Sequence, residues 1–289
     1  MSRPYFLALA SVLTASATLL LAAEASAQTP ELSTANWRQQ NRGDAVFSAY
    51  SSPQHFAFEL RIGPYYPQVD SEFGGASPYQ TVFKDNPNKA ENAAKSGSGT
   101  ETGTQIYFGA EFDYLPFRIP YVGVIGPGVG WGFVSASALT LIKTGEQAGQ
   151  VSGETTTLTI MPMYLVAVLR VDELMRRTSV PFVPYAKFGL GVAPWKVSGA
   201  AGVVTYVDST TNQQVRASDT TFGLHLALGG MLSLNFLDPK SAAQLDESTG
   251  VNHVYIYGEW MDSMLNGLGS RPQMHVGAST FVGGIAFDM

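Results

Sequence analysis

The chain has 289 residues, a net charge of −6 at pH 7 and no cysteine, and only 14% of its residues are charged. Soluble domains average about 25% charged residues, yet the mean hydropathy of this chain is near zero, at +0.05. The acidic balance, without a basic cluster, argues against nucleic acid as a partner. Few charges combined with many Gly, Ser, Thr and Tyr residues are typical of a β-barrel with one apolar and one polar face.

The N-terminal residues predict export. Arg3 precedes an apolar run over residues 5–23, which is followed by the small-residue motif Ala25-Ser26-Ala27. This order is that of a cleaved signal peptide, and residues 1–27 are predicted to be removed. A transmembrane anchor fits less well, because the run contains Ser and Thr and meets the cleavage motif at once. Residues 28–54, rich in Gln, Asn and Ser, are expected to form a periplasmic tail.

Eight later segments alternate apolar with polar or small residues, which is the period-two pattern of a half-buried strand. In chain order they cover residues 56–63, 105–114, 121–139, 155–170, 183–192, 222–236, 253–260 and 279–289. The sixth is the most regular, since only Gly230 interrupts its apolar row, and the fourth is apolar on both faces. One helix is indicated over residues 238–245, where Asp238 and Pro239 fit an N-cap and a first-turn proline.

The last segment predicts how the sheet closes. Phe281, Ile285 and Phe287 share one face, with Ala286 on the other, and the chain ends on this strand. Such a strand is expected to engage the outer-membrane barrel insertion machinery. In lipid every backbone N–H and C=O has to be paired internally, so only a closed sheet can span. We predict an all-β fold: a closed antiparallel up-and-down transmembrane β-barrel of eight strands over residues 55–289, or of ten if two strands lie in the loops.

The connections predict an orientation. Outer-membrane barrels have short periplasmic turns and longer external loops, and the odd-numbered connections are the longer ones in this chain. Both termini are therefore expected in the periplasm. The first connection, residues 64–104, with its polar segment Asn86–Gly103, is expected outside the cell. The predicted location is the outer membrane of a Gram-negative bacterium, with outer-membrane lipid as its surroundings.

If the apolar rows face lipid, the opposite rows line the lumen. They place eight polar side chains inside: Glu59, Arg61, Glu111, Asp113, Tyr185, Lys187, His225 and Glu259. Charged groups should pair there, because unpaired burial is costly, and an eight-stranded barrel has an interior that side chains just fill. We predict a structural polar core. The alternative is that the same residues line a narrow pore.

No pattern indicates catalysis or metal binding. Only one of the four histidines, His225, lies on a predicted strand and faces inward, and it belongs to no catalytic motif. The first-loop acids Asp70, Glu72 and Asp85 do not have the spacing of a calcium loop. The glycines of residues 123–130 lack the Lys and the following helix of a phosphate loop, and are expected to face the barrel interior. We expect a protein that is not an enzyme and needs no cofactor or metal.

Five segments of the sequence resemble those of known proteins. They are Phe58–Phe73 (FELRIGPYYPQVDSEF), Val180–Gly191 (VPFVPYAKFGLG), Phe236–Lys240, Thr249–His253 and Glu259-Trp260. In these phrases, which lie across most of the chain beyond residue 27, the sequence resembles a family of outer-membrane β-barrel proteins from myxobacteria and relatives. The resemblance implies a barrel fold and an outer-membrane location. It implies no activity and no site residues.

The sequence favours a structural or surface-interaction role through the external loops. One alternative is a narrow porin-like channel for small solutes. A second is a periplasmic barrel that binds a lipophilic ligand in an apolar interior. The sixth segment distinguishes this second alternative, because a soluble barrel would bury Phe222, Leu224 and Leu226 and turn its charges outward.

Overall fold

The computed structural model of the protein describes residues 55–72, 77–85, 104–142, 145–148, 150–178, 180–207, 212–269 and 273–289. The predicted signal peptide, the periplasmic tail and the polar segment Asn86–Gly103 lie outside these ranges. The predictions for those segments therefore stay predictions. Across the ranges that are described, no helix is both long enough and apolar enough to cross a bilayer.

Thirteen strands occur in the described ranges. They are β1 Phe56–Tyr65, β2 Gln105–Tyr114, β3 Phe117–Ile119, β4 Gly123–Leu141, β5 Val151–Ile160, β6 Met163–Arg170, β7 Phe182–Gly199, β8 Gly202–Val203, β9 Thr205–Val207, β10 Gln214–Arg216, β11 Ser218–Ser233, β12 His253–Met264 and β13 Ala278–Asp288. The helices are α1 Glu173–Thr178 and α2 Pro239–Thr249, with single 3-10 turns at Gln68–Glu72 and Gly267–Gly269 and a π-type turn at Gln80–Lys84.

The strands close into a ring. Antiparallel pairing runs in the order β1, β2, β4, β5 with β6, β7, β11, β12 and β13, and β13 pairs back with β1. Where β13 pairs with β1, Ala57 lies opposite Asp288 and Ile62 lies opposite Gly283. The ring therefore has eight wall strands, which confirms the predicted fold class.

One wall strand is split in two. β5 pairs with the loop-side half of β4, and β6 pairs with the half of β4 nearer the termini. Pro162 lies between β5 and β6 and lacks the N–H that an unbroken ladder needs. The wall remains connected here, because the Met161 N–H donates to the Pro194 carbonyl at 3.0 Å and the Pro162 carbonyl accepts from the Gly132 N–H at 2.7 Å.

The two faces of the wall differ in chemistry. In β11, Phe222 and Leu228 are 45% and 48% exposed, whereas His225 and Ala227 are 1% and 0% exposed. The same outward row continues around the ring with Leu60, Ile62, Phe108, Trp131, Leu165, Phe188, Leu190, Ile256, Phe281 and Ile285. The apolar rows face outward and the eight predicted polar residues face inward, as predicted. This sidedness contradicts the alternative of a soluble barrel with its charges outside.

The interior has two layers. The layer nearer the termini holds the charged groups, with buried apolar and aromatic side chains such as Val183, Met231 and Tyr255 beside them. The layer nearer the long connections is apolar and aromatic, with Val134, Ala136, Leu158, Ile160, Ala193, Met261, Leu265 and Val282 among its buried members. In this second layer the rings of Tyr65 and Tyr107 stack with their centroids 5.9 Å apart. Both layers are filled by side chains, as expected for a ring of eight strands.

Several strand ends differ from the prediction. β7 continues beyond Val192 to Gly199, and β11 begins at Ser218, before Phe222, and ends at Ser233, before Phe236. The extra residues on the loop side are mostly polar or small, so the apolar alternation stops where the wall leaves the apolar belt although pairing continues. A hydrophobic period of two identifies the apolar belt, and the hydrogen-bonded strand is longer.

The connection lengths also differ from the prediction. The third connection shrinks to residues 142–150, because β4 and β5 extend into it, and the terminal-side connection of residues 234–252 is one of the longer ones. The length contrast behind the predicted orientation is therefore weaker in the structure. Part of the terminal-side connection is α2. Asp238 caps it as predicted, since its Oδ1 accepts from the Ser241 N–H at 3.1 Å and its Oδ2 accepts from the Ser241 hydroxyl at 2.6 Å.

Candidate functional site

The candidate site is the charged layer inside the barrel. All eight predicted polar residues lie there, and none of them is more than 4% exposed. They come from five wall strands, β1, β2, β7, β11 and β12, because successive residues of a strand point to opposite faces. We call the ionisable members of this layer, together with Arg170, the charged core: Glu59, Arg61, Glu111, Asp113, Arg170, Lys187 and Glu259.

Two cations share three carboxylates at the centre of the charged core. Arg61 Nη2 lies 2.7 Å from Glu59 Oε2 and 2.6 Å from Glu111 Oε2, and its Nη1 lies 2.8 Å from Glu259 Oε1. Lys187 Nζ lies 2.7 Å from Glu59 Oε2, 2.8 Å from Glu111 Oε1 and 3.7 Å from Glu259 Oε2. All five side chains have zero exposure. Their contacts join four wall strands across the lumen.

Arg170 of β6 is part of the same network and was not predicted. Its Nη2 lies 2.8 Å from both Glu59 Oε1 and Asp113 Oδ2, and its Nη1 lies 2.7 Å from Asp288 Oδ1. The available signal was its position two residues beyond Val168 on the inward row. Apolar residues on both faces of the fourth segment hid that row. Asp288, near the end of the last strand, was missed with it.

Three carboxylates of the charged core lie close enough together to be considered as a metal site. Ligand atoms of Glu59, Glu111 and Asp113 lie within 4.8 Å of one another. Each of these groups is already in contact with Arg61, Lys187 or Arg170. In the charged core four carboxylates face three protein cations, so the protein itself supplies most of the neutralising charge. The geometry favours ion pairing.

Aromatic side chains surround the charged core. The Tyr185 hydroxyl donates to Glu259 Oε2 at 2.8 Å, and Lys187 Nζ lies 4.9 Å from the centroid of the same Tyr185 ring. On the other side of the core, the Arg61 guanidinium lies 5.4 Å from the centroid of the Tyr164 ring. Cations next to ring faces gain a further electrostatic contact. The tyrosines thus hold the charged groups in place and fill the space around them.

His225 is held as a core residue. Its ring stacks on Tyr164 with a centroid distance of 3.9 Å, and its Nδ1 lies 2.8 Å from the Ser263 hydroxyl. A histidine beside a serine suggests a nucleophilic pair, but both residues are at most 2% exposed. A third group to orient the imidazole is part of such a mechanism, and His225 Nε2 has no hydrogen-bond partner in the described residues. His225 and Ser263 are therefore packed core residues that a substrate cannot reach.

Glycines on the inward rows make room for the tyrosines. A Cβ on Gly130 would collide with the Tyr164 ring, and a Cβ on Gly132 would collide with the Tyr107 ring. Both glycines are buried on the interior face of β4. The glycine-rich stretch thus faces the lumen, as predicted in preference to a phosphate loop.

The described part of the first connection, residues 66–72 and 77–85, packs on the apolar layer at the loop-side mouth. Val69 and Tyr79 are buried in the apolar layer. The Asp70 carboxylate accepts from the backbone N–H groups of Tyr79 at 2.7 Å and Gln80 at 3.0 Å, which fixes the fold of this segment. Asp70 therefore braces the backbone of this segment.

The same segment is bound to the last connection, which leads into β13, the strand that pairs with β1. The Tyr65 hydroxyl donates to the Val276 carbonyl at 2.6 Å, and the Gln68 N–H donates to the Gly277 carbonyl at 2.9 Å. At the surface the Ser71 hydroxyl lies 2.7 Å from His275 Nδ1. We call residues 66–72 and 77–85 the plug segment. Its contacts fasten it to the neighbouring last connection and to the apolar layer.

A pocket opens at the terminal side of the lumen. Its lining includes Leu115, Val124, Met175, Val183, Tyr255 and Asp288. Arg170 also lines this pocket, and the ion pairs of Arg170 with Glu59 and Asp113 lie behind it. The pocket therefore leads to the charged core.

No protein-family model matches the chain, and no curated protein matches it. Among solved structures, Ail, the attachment invasion locus protein of Yersinia pestis, is 10% identical with a TM-score of 0.34, covering 82% of this chain and 97% of its own. The outer membrane protein OprG from Pseudomonas aeruginosa is 12% identical with a TM-score of 0.38, covering 83% and 97%. The outer membrane protease OmpT from Escherichia coli is 10% identical with a TM-score of 0.29, covering 64% and 63%. At these scores no property of those proteins is transferred to this chain.

Proposed function

We propose that the protein is an integral outer-membrane β-barrel with a structural or surface-interaction role, and that its lumen does not conduct. The observation that carries the proposal is the filled interior. The charged core crosses the lumen through contacts of Arg61, Lys187 and Arg170 with carboxylates on other strands, and the apolar layer and plug segment lie above it. A water column would have to break contacts between buried charges, which is costly.

The wall supports a membrane setting. Wall strands are paired on both sides around the ring, so their backbone groups are satisfied without water. The outward row is predominantly apolar, with Asp262 of β12 opposite Leu226 as a charged member. A predominantly apolar outer surface matches lipid. Outer-membrane lipid and the barrel insertion machinery are the partners proposed, with export through the predicted signal peptide. Membership of the myxobacterial barrel family belongs to the same proposal.

The absence of catalytic activity is also proposed. Of the four histidines, His225 was the strongest candidate for a base, and it is buried beside Ser263 without a route for substrate. The alternative function is a narrow channel for small solutes. It would need both the charged core and the plug segment to open.

A conductance measurement tests the proposal directly. Protein refolded into planar bilayers is expected to show little or no steady current, because paired side chains occupy the lumen from the charged core to the plug segment. Insertion is verified by the heat-dependent gel shift of folded barrels, and a general porin is the positive control. Large, ohmic and reproducible currents, with ion selectivity altered in Arg61→Ala, would replace this proposal with the channel.

Topology on cells gives a second test. An epitope inserted within the exposed turn of residues 145–148 should be labelled on intact cells, because this turn lies on the predicted external side. An epitope between Glu247 and Ser248, exposed residues of α2 on the terminal side, should be labelled only after permeabilisation. The two insertions control for each other, and the opposite labelling pattern would reverse the orientation.

A further inference from the structure

The terminal side of the barrel carries an apolar surface outside the lumen. β3 and the turn after it extend the hairpin between β2 and β4 beyond the wall, and they leave Phe117 67% and Tyr121 78% exposed. Leu174 of α1 is exposed as well. Large apolar side chains exposed together mark an interaction site. Phe117 follows Tyr114, which belongs to the outward row of β2, so this surface continues from the lipid-facing belt.

Arginines are interleaved with these apolar side chains. The Arg177 guanidinium lies 4.8 Å from the centroid of the Tyr121 ring. This contact ties α1 to the tip of the hairpin. Tyr121 itself has a φ of 67°, a left-handed conformation that is uncommon for a residue other than glycine. The conformation holds an aromatic side chain at the tip of the turn. We call Phe117, Arg118, Tyr121, Leu174, Arg176 and Arg177 the tip–helix surface.

The charge of the tip–helix surface is positive in an acidic protein. Arg118 forms a two-pronged contact with Asp172 at 3.1 and 2.7 Å, and Arg177 Nε donates to Glu173 Oε1 at 2.7 Å. The two acids balance two arginines, and the charge of the exposed Arg176 is in excess. The whole chain carries a charge of −6. A local positive excess next to exposed aromatic rings is complementary to an anionic, amphiphilic partner.

We infer that the tip–helix surface binds the head group of an anionic glycerophospholipid, such as phosphatidylglycerol, in the leaflet on the terminal side. The arginines contact the phosphate, and Phe117 and Tyr121 lie beside the glycerol and the first acyl carbons. Aromatic rings with one apolar and one polar edge suit this depth of a bilayer. Arginine provides several N–H donors in a planar fork that fits phosphate oxygens. The inference rests on the proposed membrane function and assigns a lipid class to it.

Native mass spectrometry from micelles that contain equal amounts of phosphatidylglycerol and phosphatidylcholine tests the inference. The wild-type protein is expected to retain phosphatidylglycerol preferentially. In Arg176→Gln/Arg177→Gln this retention should weaken about fivefold for each charge removed. Arg176→Lys/Arg177→Lys keeps the charge and should keep most of the preference. The matched control is Lys196→Gln/Arg216→Gln, which removes the same charge on the loop side and should leave the preference unchanged.

Two different failures can be told apart. If the wild-type protein does not insert, as judged by the heat-dependent gel shift, the proposed membrane function fails. If it inserts but the two Gln pairs retain phosphatidylglycerol equally, the lipid site is overturned and the membrane function stands. Loss of the preference only in Arg176→Gln/Arg177→Gln, with insertion intact, supports the tip–helix surface as the binding site. Loss in both pairs would indicate a general charge effect and would also overturn the site.

Discussion

Arg61→Ala is expected to destabilise the folded barrel by about 3–5 kcal/mol, because removing one partner of a buried ion pair leaves an uncompensated charge. Arg61 lies within 2.8 Å of Glu59, Glu111 and Glu259, and it is fully buried with them. Among the described residues, Lys187 also lies against all three carboxylates, and Arg170 lies against Glu59. Without Arg61, Lys187 would be the one described cation beside both Glu111 and Glu259, and their negative charge would be poorly compensated. The loss should appear as a lower urea midpoint for protein refolded in lipid vesicles.

A paired substitution separates charge imbalance from lost packing. Arg61→Ala/Glu111→Gln removes one of the stranded carboxylates and should recover part of the lost free energy of unfolding. Arg216→Ala, at an exposed site on β10, is the control and should change stability by less than about 0.5 kcal/mol. An Arg61→Ala barrel as stable as Arg216→Ala would mean that the charged core does not hold the fold together.

The pH dependence of these variants is a less direct readout of the charged core than the double substitution. Its groups are coupled through shared contacts, and one proton change would affect several residues at once. The double substitution instead asks whether one named carboxylate is the destabilising partner. If Glu111→Gln restores none of the free energy of unfolding that Arg61→Ala removes, then Glu59 or Glu259 is the carboxylate whose unpaired charge destabilises the barrel. The same double substitution can then be made at each of them.

The wall and the charged core were largely readable from sequence. Alternation in a strand assigns each residue to one face, and this rule applied to β1, β2, β7, β11 and β12 placed all eight predicted polar residues inside. Burial of charge then required pairing, and the contacts follow from that requirement. Alternation does not show which of these side chains form ion pairs with one another. The distance between Arg61 and Glu259, for example, depends on how the ring closes.

Three features were beyond the same reasoning. Arg170 lies on a strand with apolar residues on both faces, so its row was not distinguished. The plug segment has no hydrophobic period, and its place in the mouth depends on contacts with residues about 200 positions away, such as that of the Gln68 N–H with the Gly277 carbonyl. The loop-side ends of β7 and β11 are mostly polar or small on their outer face. The apolar alternation therefore predicted strands that end at the edge of the apolar belt. The hydrophobic period of a segment shows which of its faces is apolar. The three features above depend instead on contacts between residues that are distant in sequence.

Leu228→Arg is expected to impair stable insertion, because Arg on the lipid face near the bilayer midplane costs about 2–4 kcal/mol. Leu228 is 48% exposed on β11, and its cross-strand neighbours are Ala186 and Trp260, which offer no counter-charge. Leu226→Arg on the same face should be milder, since Leu226 lies opposite Asp262 in the register and the new guanidinium gains a partner. The fraction of folded protein in lipid vesicles, read from the heat-dependent gel shift, measures both.

The control for sidedness is the neighbouring position. Ala227 is fully buried on the lumen face between Lys187 and Met261, and Ala227→Ser adds a single hydroxyl to a layer that already holds polar groups. Its effect should be small beside that of Leu228→Arg. If the two substitutions were tolerated equally, the outward row would not face hydrocarbon, and the membrane assignment of this barrel would have to be abandoned. A large defect in Leu228→Arg, a partial one in Leu226→Arg and near-normal folding in Ala227→Ser is the order that a lipid-facing belt requires, because a charge that faces hydrocarbon is costly and costs less where a counter-charge lies beside it.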